Sequence, residues 1–151
     1  MTTPDPFELF ALRYGHNSGR TDAMNFIGGD LHESGTDLDY FVWLARRGDR
    51  AILIDTGFSE QVGVKRNRRL LQPPAALLHR IGVDPARIED VILTHLHFDH
   101  AGTLGDYSAA RFHLQDSEMA FATGRCMCHA EFASQFEVED GLADLDAAIQ
   151  L

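Results

Sequence analysis

Between Thr94 and Gly102 the chain reads THLHFDHAG, placing three imidazoles (His95, His97 and His100) and one carboxylate (Asp99) within six consecutive positions. Neutral imidazole and carboxylate are the nitrogen and oxygen donors that a borderline cation such as zinc takes. The plain alternative is a set of solvated loop histidines, with Asp99 capping whatever follows. Four donors in so short a stretch argue against it. His95 and His97 are spaced to share one ion. Asp99 and His100 are adjacent but project differently, which points to a second ion close to the first.

Such a turn aims its side chains at a common centre only when something rigid precedes it. Residues 91–93, a run of branched apolar side chains, read as a buried strand that would do this. Upstream, 39–45 and 51–54 are β-rich and joined by the polar, glycine-containing stretch 46–50, the pattern of a hairpin. Residues 7–14 read as a first strand that ends in the flexible stretch 16–21, and 28–35 as a loop. Gln72-Pro73-Pro74 opens a short helix carrying Leu77, Leu78 and Ile81, and Gly82 closes it. Residues 111–115 predict a further strand, and Asp116 a cap for a helix through Met119 and Phe121. A last helix over 140–151 sets Leu142, Leu145 and Ile149 on one face. Strands come first and then alternate with helices.

The 151 residues fit one domain, and a hydrophobic content of 44% with ten Phe excludes disorder, collagen and coiled coil. Thirteen basic against 23 acidic residues leave a formal charge of -10, which opposes binding to nucleic acid or to an anionic membrane surface. No apolar run approaches the roughly 20 residues of a membrane span. Asp5 and Glu8 stand where a secretory signal would be basic and then apolar, so a cytoplasmic location is expected. Cys126 and Cys128 read as reduced thiols, and with His129 they are too few to close a metal tetrahedron alone. His16 and His32 read as solvated loop residues, and Lys65, Arg66, Arg68 and Arg69 as a solvated face. Phe10, Tyr14, Phe41 and Trp43 are expected in the core. Neither a phosphate-binding glycine fingerprint nor a G-x-S-x-G elbow is present.

THLHFDHAG resembles the H-x-H-x-D-H signature of the metallo-β-lactamase superfamily, and Ile54-Asp55-Thr56-Gly57 resembles that superfamily's upstream D-T-G turn. Within it the chain is most similar to the N-acyl homoserine lactonase family, through that motif, the DYFVW…ILIDTGF hairpin and the HLQDSEMAFATGR stretch. The resemblance implies an α+β fold that is the N-terminal half of a metallo-β-lactamase αββα sandwich. Residues 1–151 would form one partial domain with the C-terminal half missing. It implies two zinc ions, the first on His95 and His97 and the second on Asp99 and His100, with Asp99 also the catalytic candidate. Asp55 taken alone suits a plain turn; beside the metal motif it would steady a ligand histidine from behind. The family's later H-x-x-G-H motif, bridging aspartate, final histidine and substrate-side tyrosine have no counterpart, since only His113 and His129 follow His100. The resulting expectation is a fragment of a hydrolase that, intact, opens the lactone ring of N-acyl homoserine lactones and so quenches quorum signalling. Hydrolysis of a thioester or a β-lactam is the alternative. A catalytically inert fragment that binds metal, or self-associates through an uncovered sheet face, is a third reading.

Overall fold

The computed structural model describes residues 5–33 and 35–137. Six strands form one mixed sheet in the order β4-β1-β2-β3-β5-β6. They are β1 (Glu8–Asn17), β2 (Leu38–Arg47), β3 (Arg50–Ile54), β4 (Arg69–Leu70), β5 (Asp90–Ile92) and β6 (Arg111–His113). Between them lie α1 (Asp22–Asn25), α2 (Glu60–Lys65) and α3 (Pro74–Arg80), and after β6 come α4 (Asp116–Ala122) and α5 (Ala130–Ala133). The fold is α+β, as the resemblance implied.

Strands β1, β2 and β3 pair antiparallel, while β5 runs parallel to β3 and β6 parallel to β5. Parallel neighbours require long crossovers, and the connection from β3 to β5 carries α2, β4 and α3. Its effect is to bring the C-terminal ends of β3 and β5 side by side, where the D-T-G turn and the histidine loop both begin. The carboxyl end of parallel strands is where loops of this kind commonly build sites.

The hairpin is tighter than its sequence suggests. Arg46 and Arg47 still pair, with Ala51 and Arg50, so only Gly48 and Asp49 form the turn. Gly48, at φ 57°, supplies the positive φ that a two-residue hairpin requires at its first position. Both arginines stay in the strand because each guanidinium lies over a ring of β1's side of the sheet, Arg46 on Phe10 at 4.8 Å and Arg47 on Phe7 at 4.5 Å.

Strand β1 also outlasts its predicted end. Arg13 pairs with Phe41 and Gly15 with Tyr40, which leaves Tyr14 as the extra residue of a β-bulge. A bulge shifts the alternation of the strand by one. Leu12 points into the core before it, Tyr14 at it and Asn17 after it, and the first two residues of the stretch 16–21, which reads as flexible, belong to the strand.

One face of the sheet is covered. Leu12, Tyr14, Val42, Leu44, Leu53, Val91 and Leu93 pack there with Leu78 of α3 and with Ile88, Leu104 and Tyr107 from the connecting turns. Alternation in β2 sends Val42 and Leu44 inward and therefore Phe41 and Trp43 outward, so these two are not core residues as expected. With Leu9 and Ile92 they form an open apolar face, on which Leu9 is 68% and Trp43 46% exposed. In α4 the cap position belongs to Gln115, which makes no side-chain cap bond, and Asp116 lies inside the first turn instead. The helix expected over 140–151 lies outside the described residues. Among the described residues no helix is long and apolar enough to cross a membrane.

Trp43 is the chain's single tryptophan, so its emission reports on the open face. Association through this face predicts a shift to shorter wavelength as protein concentration rises, abolished by Phe41→Lys. A dilution series with unchanged emission and a monomeric sedimentation profile would overturn that expectation.

Candidate metal centre

The turn after β3 is built around Asp55, whose φ of 62° is in the left-handed region. Asp is one of the few side chains that tolerate this conformation, and here it is held from all sides. The Asp55 amide donates to the Ile92 carbonyl at 2.8 Å. Its Oδ1 accepts from the Thr94 amide at 2.8 Å, the Thr94 hydroxyl lies 2.9 Å from both carboxylate oxygens, and Oδ2 lies 2.8 Å from His100 Nδ1. A buried carboxylate is costly unless it is surrounded by donors, and these contacts supply them.

The next residues fasten the two loops together. Thr56 donates through its amide to the His100 carbonyl at 2.7 Å, and Gly102 donates to the Gly57 carbonyl at 2.8 Å. The second contact needs a glycine at 102: a Cβ there would lie 2.6 Å from the Phe98 carbonyl oxygen and 2.8 Å from that of Gly57. Thr103 Oγ1 donates to the Thr56 carbonyl at 2.8 Å on the far side.

This frame gathers the predicted donors. The His95 ring is centred 3.9 Å from that of His100 and 4.5 Å from that of His97. His100 is held at Nδ1 by Asp55, and its Nε2 lies 3.6 Å from Asp99 Oδ2. Thr94 Oγ1 lies 3.1 Å from His95 Nδ1. Burial lowers the pKa of His95, helped by the neighbouring His100 and His97, and burial likewise lowers that of His97. Both are thereby kept in the neutral form that offers a lone pair. Burial pushes His100 the same way, but the Asp55 hydrogen bond and the charges of Asp99 and Asp55 outweigh it and raise its pKa.

Among the described residues no three His, Cys, Asp or Glu side chains close on one point as they stand. The donor set nevertheless fits zinc in kind: neutral imidazoles and a carboxylate, with an outer carboxylate fixing one ring through its other nitrogen. The remaining candidates lie elsewhere. His16 is engaged by Asp39 at 2.7 Å, and His32 by Asp30 at 3.2 Å. Cys126 and Cys128 are exposed free thiols in a single turn of 3-10 helix, and they form no donor group with His129.

Two contacts to the histidine loop, and a third beside it, have no local signal in the sequence. Tyr14, fully buried at the bulge of β1, donates its hydroxyl to the Asp99 carbonyl at 2.7 Å. Burial, with the negative charge of Asp99, drives its pKa far above the usual phenol value, so it remains a donor. Glu118, in the first turn of α4, accepts from the Leu96 amide at 3.0 Å. Lys65 and Arg66 both bind Glu137 at 2.7 Å; Lys65 stays exposed as expected of a solvated face, whereas Arg66 is drawn inward. Only the acidic first turn of α4 hinted at any of these, and nothing in it named Leu96 as the partner.

Fold and site together define a metallo-β-lactamase-type domain. The family model described as the metallo-beta-lactamase superfamily matches residues 35–144, and the chain belongs to that superfamily. It is similar to an acyl-coenzyme A thioesterase of Bos taurus, 30% identical over 118 residues, covering 77% of this chain and 40% of that protein. A probable metallo-hydrolase of Mycobacterium tuberculosis is 29% identical over 104 residues, covering 60% of this chain and 33% of that protein. Among solved structures, a quorum-quenching N-acyl homoserine lactone lactonase superposes with a TM-score of 0.67 at 22% identity, covering 93% of this chain and 55% of that one. A hydrolase described as AbOPH in the beta lactamase superfamily gives 0.66 at 17% identity, with coverages of 97% and 57%. The chain thus spans well under half the length of these curated relatives and a little over half of these solved chains.

Removing the Tyr14 hydroxyl takes a fully buried donor from the partly buried Asp99 carbonyl, so Tyr14→Phe is expected to cost about 1 kcal/mol in denaturant unfolding. Asp55→Asn removes the charge and the carboxylate hydrogen bond of Asp55 that raise the His100 pKa, leaving only the charge of Asp99 against burial. NMR titration of the metal-free chain should then show the His100 pKa falling below that of the parent. In the parent, the His100–Asp55 pair stabilises the fold most fully below the ordinary histidine pKa of about 6.5. That contribution is lost as pH rises through the raised value.

Proposed function

We propose that this chain carries the histidine-rich half of a zinc-dependent hydrolase acting on the cyclic ester of N-acyl homoserine lactones. The observation that carries the reading is the meeting of His95, His97 and His100 on a turn anchored by Asp55, at the carboxyl ends of β3 and β5. His95 and His97 would hold one zinc ion, and Asp99 and His100 a second. When bound, zinc supplies a Lewis acid that polarises an ester carbonyl and brings the pKa of water toward neutrality.

The chain's own residues do the rest of the positioning. Asp55 takes the Nδ1 side of His100, so that Nε2 is the nitrogen left for a ligand role. Tyr14 fixes the backbone at Asp99 and thereby the direction from which that carboxylate, the catalytic candidate, approaches. Glu118 fixes Leu96, the residue between the first two histidines. The lactone class is supported by the resemblance of THLHFDHAG, the D-T-G hairpin and the HLQDSEMAFATGR stretch to the lactonase family. The fold likeness fits it without choosing the substrate.

A thioester is the second reading, favoured by the 30% identity to the acyl-coenzyme A thioesterase. Both substrates are acyl compounds attacked at a carbonyl, and they differ in the atom that leaves. A small-molecule substrate suits either.

Two described donors per ion are fewer than the three protein ligands usual for catalytic zinc. Zinc is therefore expected to bind weakly and turnover by the 151-residue chain to be slight. Zinc binding followed by calorimetry should fall from two ions to one in His97→Ala, and in Asp55→Asn affinity at the Asp99–His100 site should fall about 10- to 100-fold. Proton release from an N-acyl homoserine lactone and thiol release from an acyl-coenzyme A are then measured with zinc present. Zinc-dependent acid release lost in His97→Ala supports the lactonase reading, whereas thiol release alone moves it to the thioesterase. No zinc binding at all leaves the inert fragment.

A further inference from the structure

The stretch from Ser134 to Glu137 has no part in the chemistry proposed above, yet it crosses directly over the histidine loop. Gln135 offers its carbonyl to the Phe98 amide at 2.9 Å. Phe136, buried, packs its ring nearly perpendicular to that of His97 with centroids 5.2 Å apart. Glu137 completes the strap, its side chain only 10% exposed, and carries a charge that needs partners there.

Those partners come from the end of α2. The Arg66 Nε donates to Glu137 Oε1 at 2.7 Å, and its Nη2 donates to the Ser134 carbonyl at 2.7 Å and lies 3.4 Å from that of Phe136. The face of the same guanidinium lies 4.1 Å from the centroid of Phe98. Lys65 Nζ takes the other carboxylate oxygen at 2.7 Å. Burial works against the charge on Glu137, but hydrogen bonds from Lys65 and Arg66 prevail and hold its carboxyl below the usual range. Exposed ion pairs contribute little. This one is different in kind: Arg66 is 18% exposed and engages a carboxylate, two backbone carbonyls and a ring together.

We propose that Arg66 is a positioning residue for His97, acting through the strap. By seating Glu137 and the Ser134 carbonyl it holds Phe136 against the imidazole, and by lying on Phe98 it fixes the residue that follows His97. The arrangement demands arginine: a planar fork donates in its plane while its face stacks, and a lysine ammonium delivers only the charge. This inference rests on the reading of His97 as a zinc ligand, but the placement of the ring can be measured without metal.

The test compares Arg66→Ala, Arg66→Lys and Glu137→Gln with the parent chain, using Arg69→Ala as the control from the same segment. In the metal-free chain, the aromatic NMR signals of His97 should be displaced by the ring current of Phe136. That displacement should collapse in Arg66→Ala and Glu137→Gln, partly survive in Arg66→Lys, and persist in Arg69→Ala, while the methyl signals of Val42 and Leu44 stay in place. Cobalt(II) titration followed by visible absorption should show affinity reduced about tenfold in Arg66→Ala, the scale of losing an outer partner of a ligand. If Arg66→Ala fails to fold, Glu137→Gln decides, since it leaves Arg66 able to lie on Phe98. An unmoved His97 signal in Glu137→Gln, or in a folded Arg66→Ala, overturns the proposal. Failure of the parent to bind cobalt would instead overturn the metal reading, with the His97 signal still deciding the role of Arg66.

Discussion

The carboxylate of Asp55 is the contact on which the site's geometry turns. It sits at the end of β3 and binds Thr94 just past the end of β5, so two strands that are neighbours in the sheet are tied at their tips as well. The same group then reaches back to His100, at the far end of the loop that starts with Thr94. A loop pinned at both ends by one buried charge loses most of its conformational freedom before any ligand arrives. The left-handed backbone of Asp55 is the strained feature this requires, and the network of donors around it sustains that strain.

Beneath that pin, the loop rests on aromatic rings. Phe58 meets Tyr14 at 5.0 Å and Tyr40 at 5.3 Å, and Phe98 stands 6.1 Å away under the guanidinium of Arg66. Tyr14 therefore serves twice, as a packing surface for Phe58 and as the donor to Asp99. Edge-to-face rings resist sliding in a way that aliphatic contacts do not. Positions on β1 and α2, remote in sequence from the histidines, thus share control of where those histidines lie.

Much of this plan was legible because its signals are local. Four donors in six residues, a short apolar run before them and two β-rich runs around a glycine each announce themselves within a dozen residues. The contacts that refine the site have no such period. Tyr14 and Asp99 are 85 residues apart, Arg66 and Glu137 are 71 apart, and Glu118 and Leu96 are 22 apart. Helix α2 escaped notice because its six residues include Gly63 and merge with the run of basic side chains that follows. The misplacement of Phe41 and Trp43 has a different origin. Alternation separates the two faces of a strand, but only tertiary context decides which one is covered.

The bulge at Tyr14 carries a consequence for how this chain can vary in length. Upstream of it β1 keeps one phase, and downstream it keeps the other, with Leu12 and Asn17 both inward although they differ in parity. Deleting one residue between Arg13 and Gly15 would restore regular pairing and yet leave no side chain where the Tyr14 hydroxyl meets Asp99. Inserting one elsewhere in the strand would turn half of its inward set toward water. Strand β1 can therefore exchange its outward side chains freely, as at Leu9 and Ala11, while its count of residues is fixed by a site it never touches with a ligand of its own.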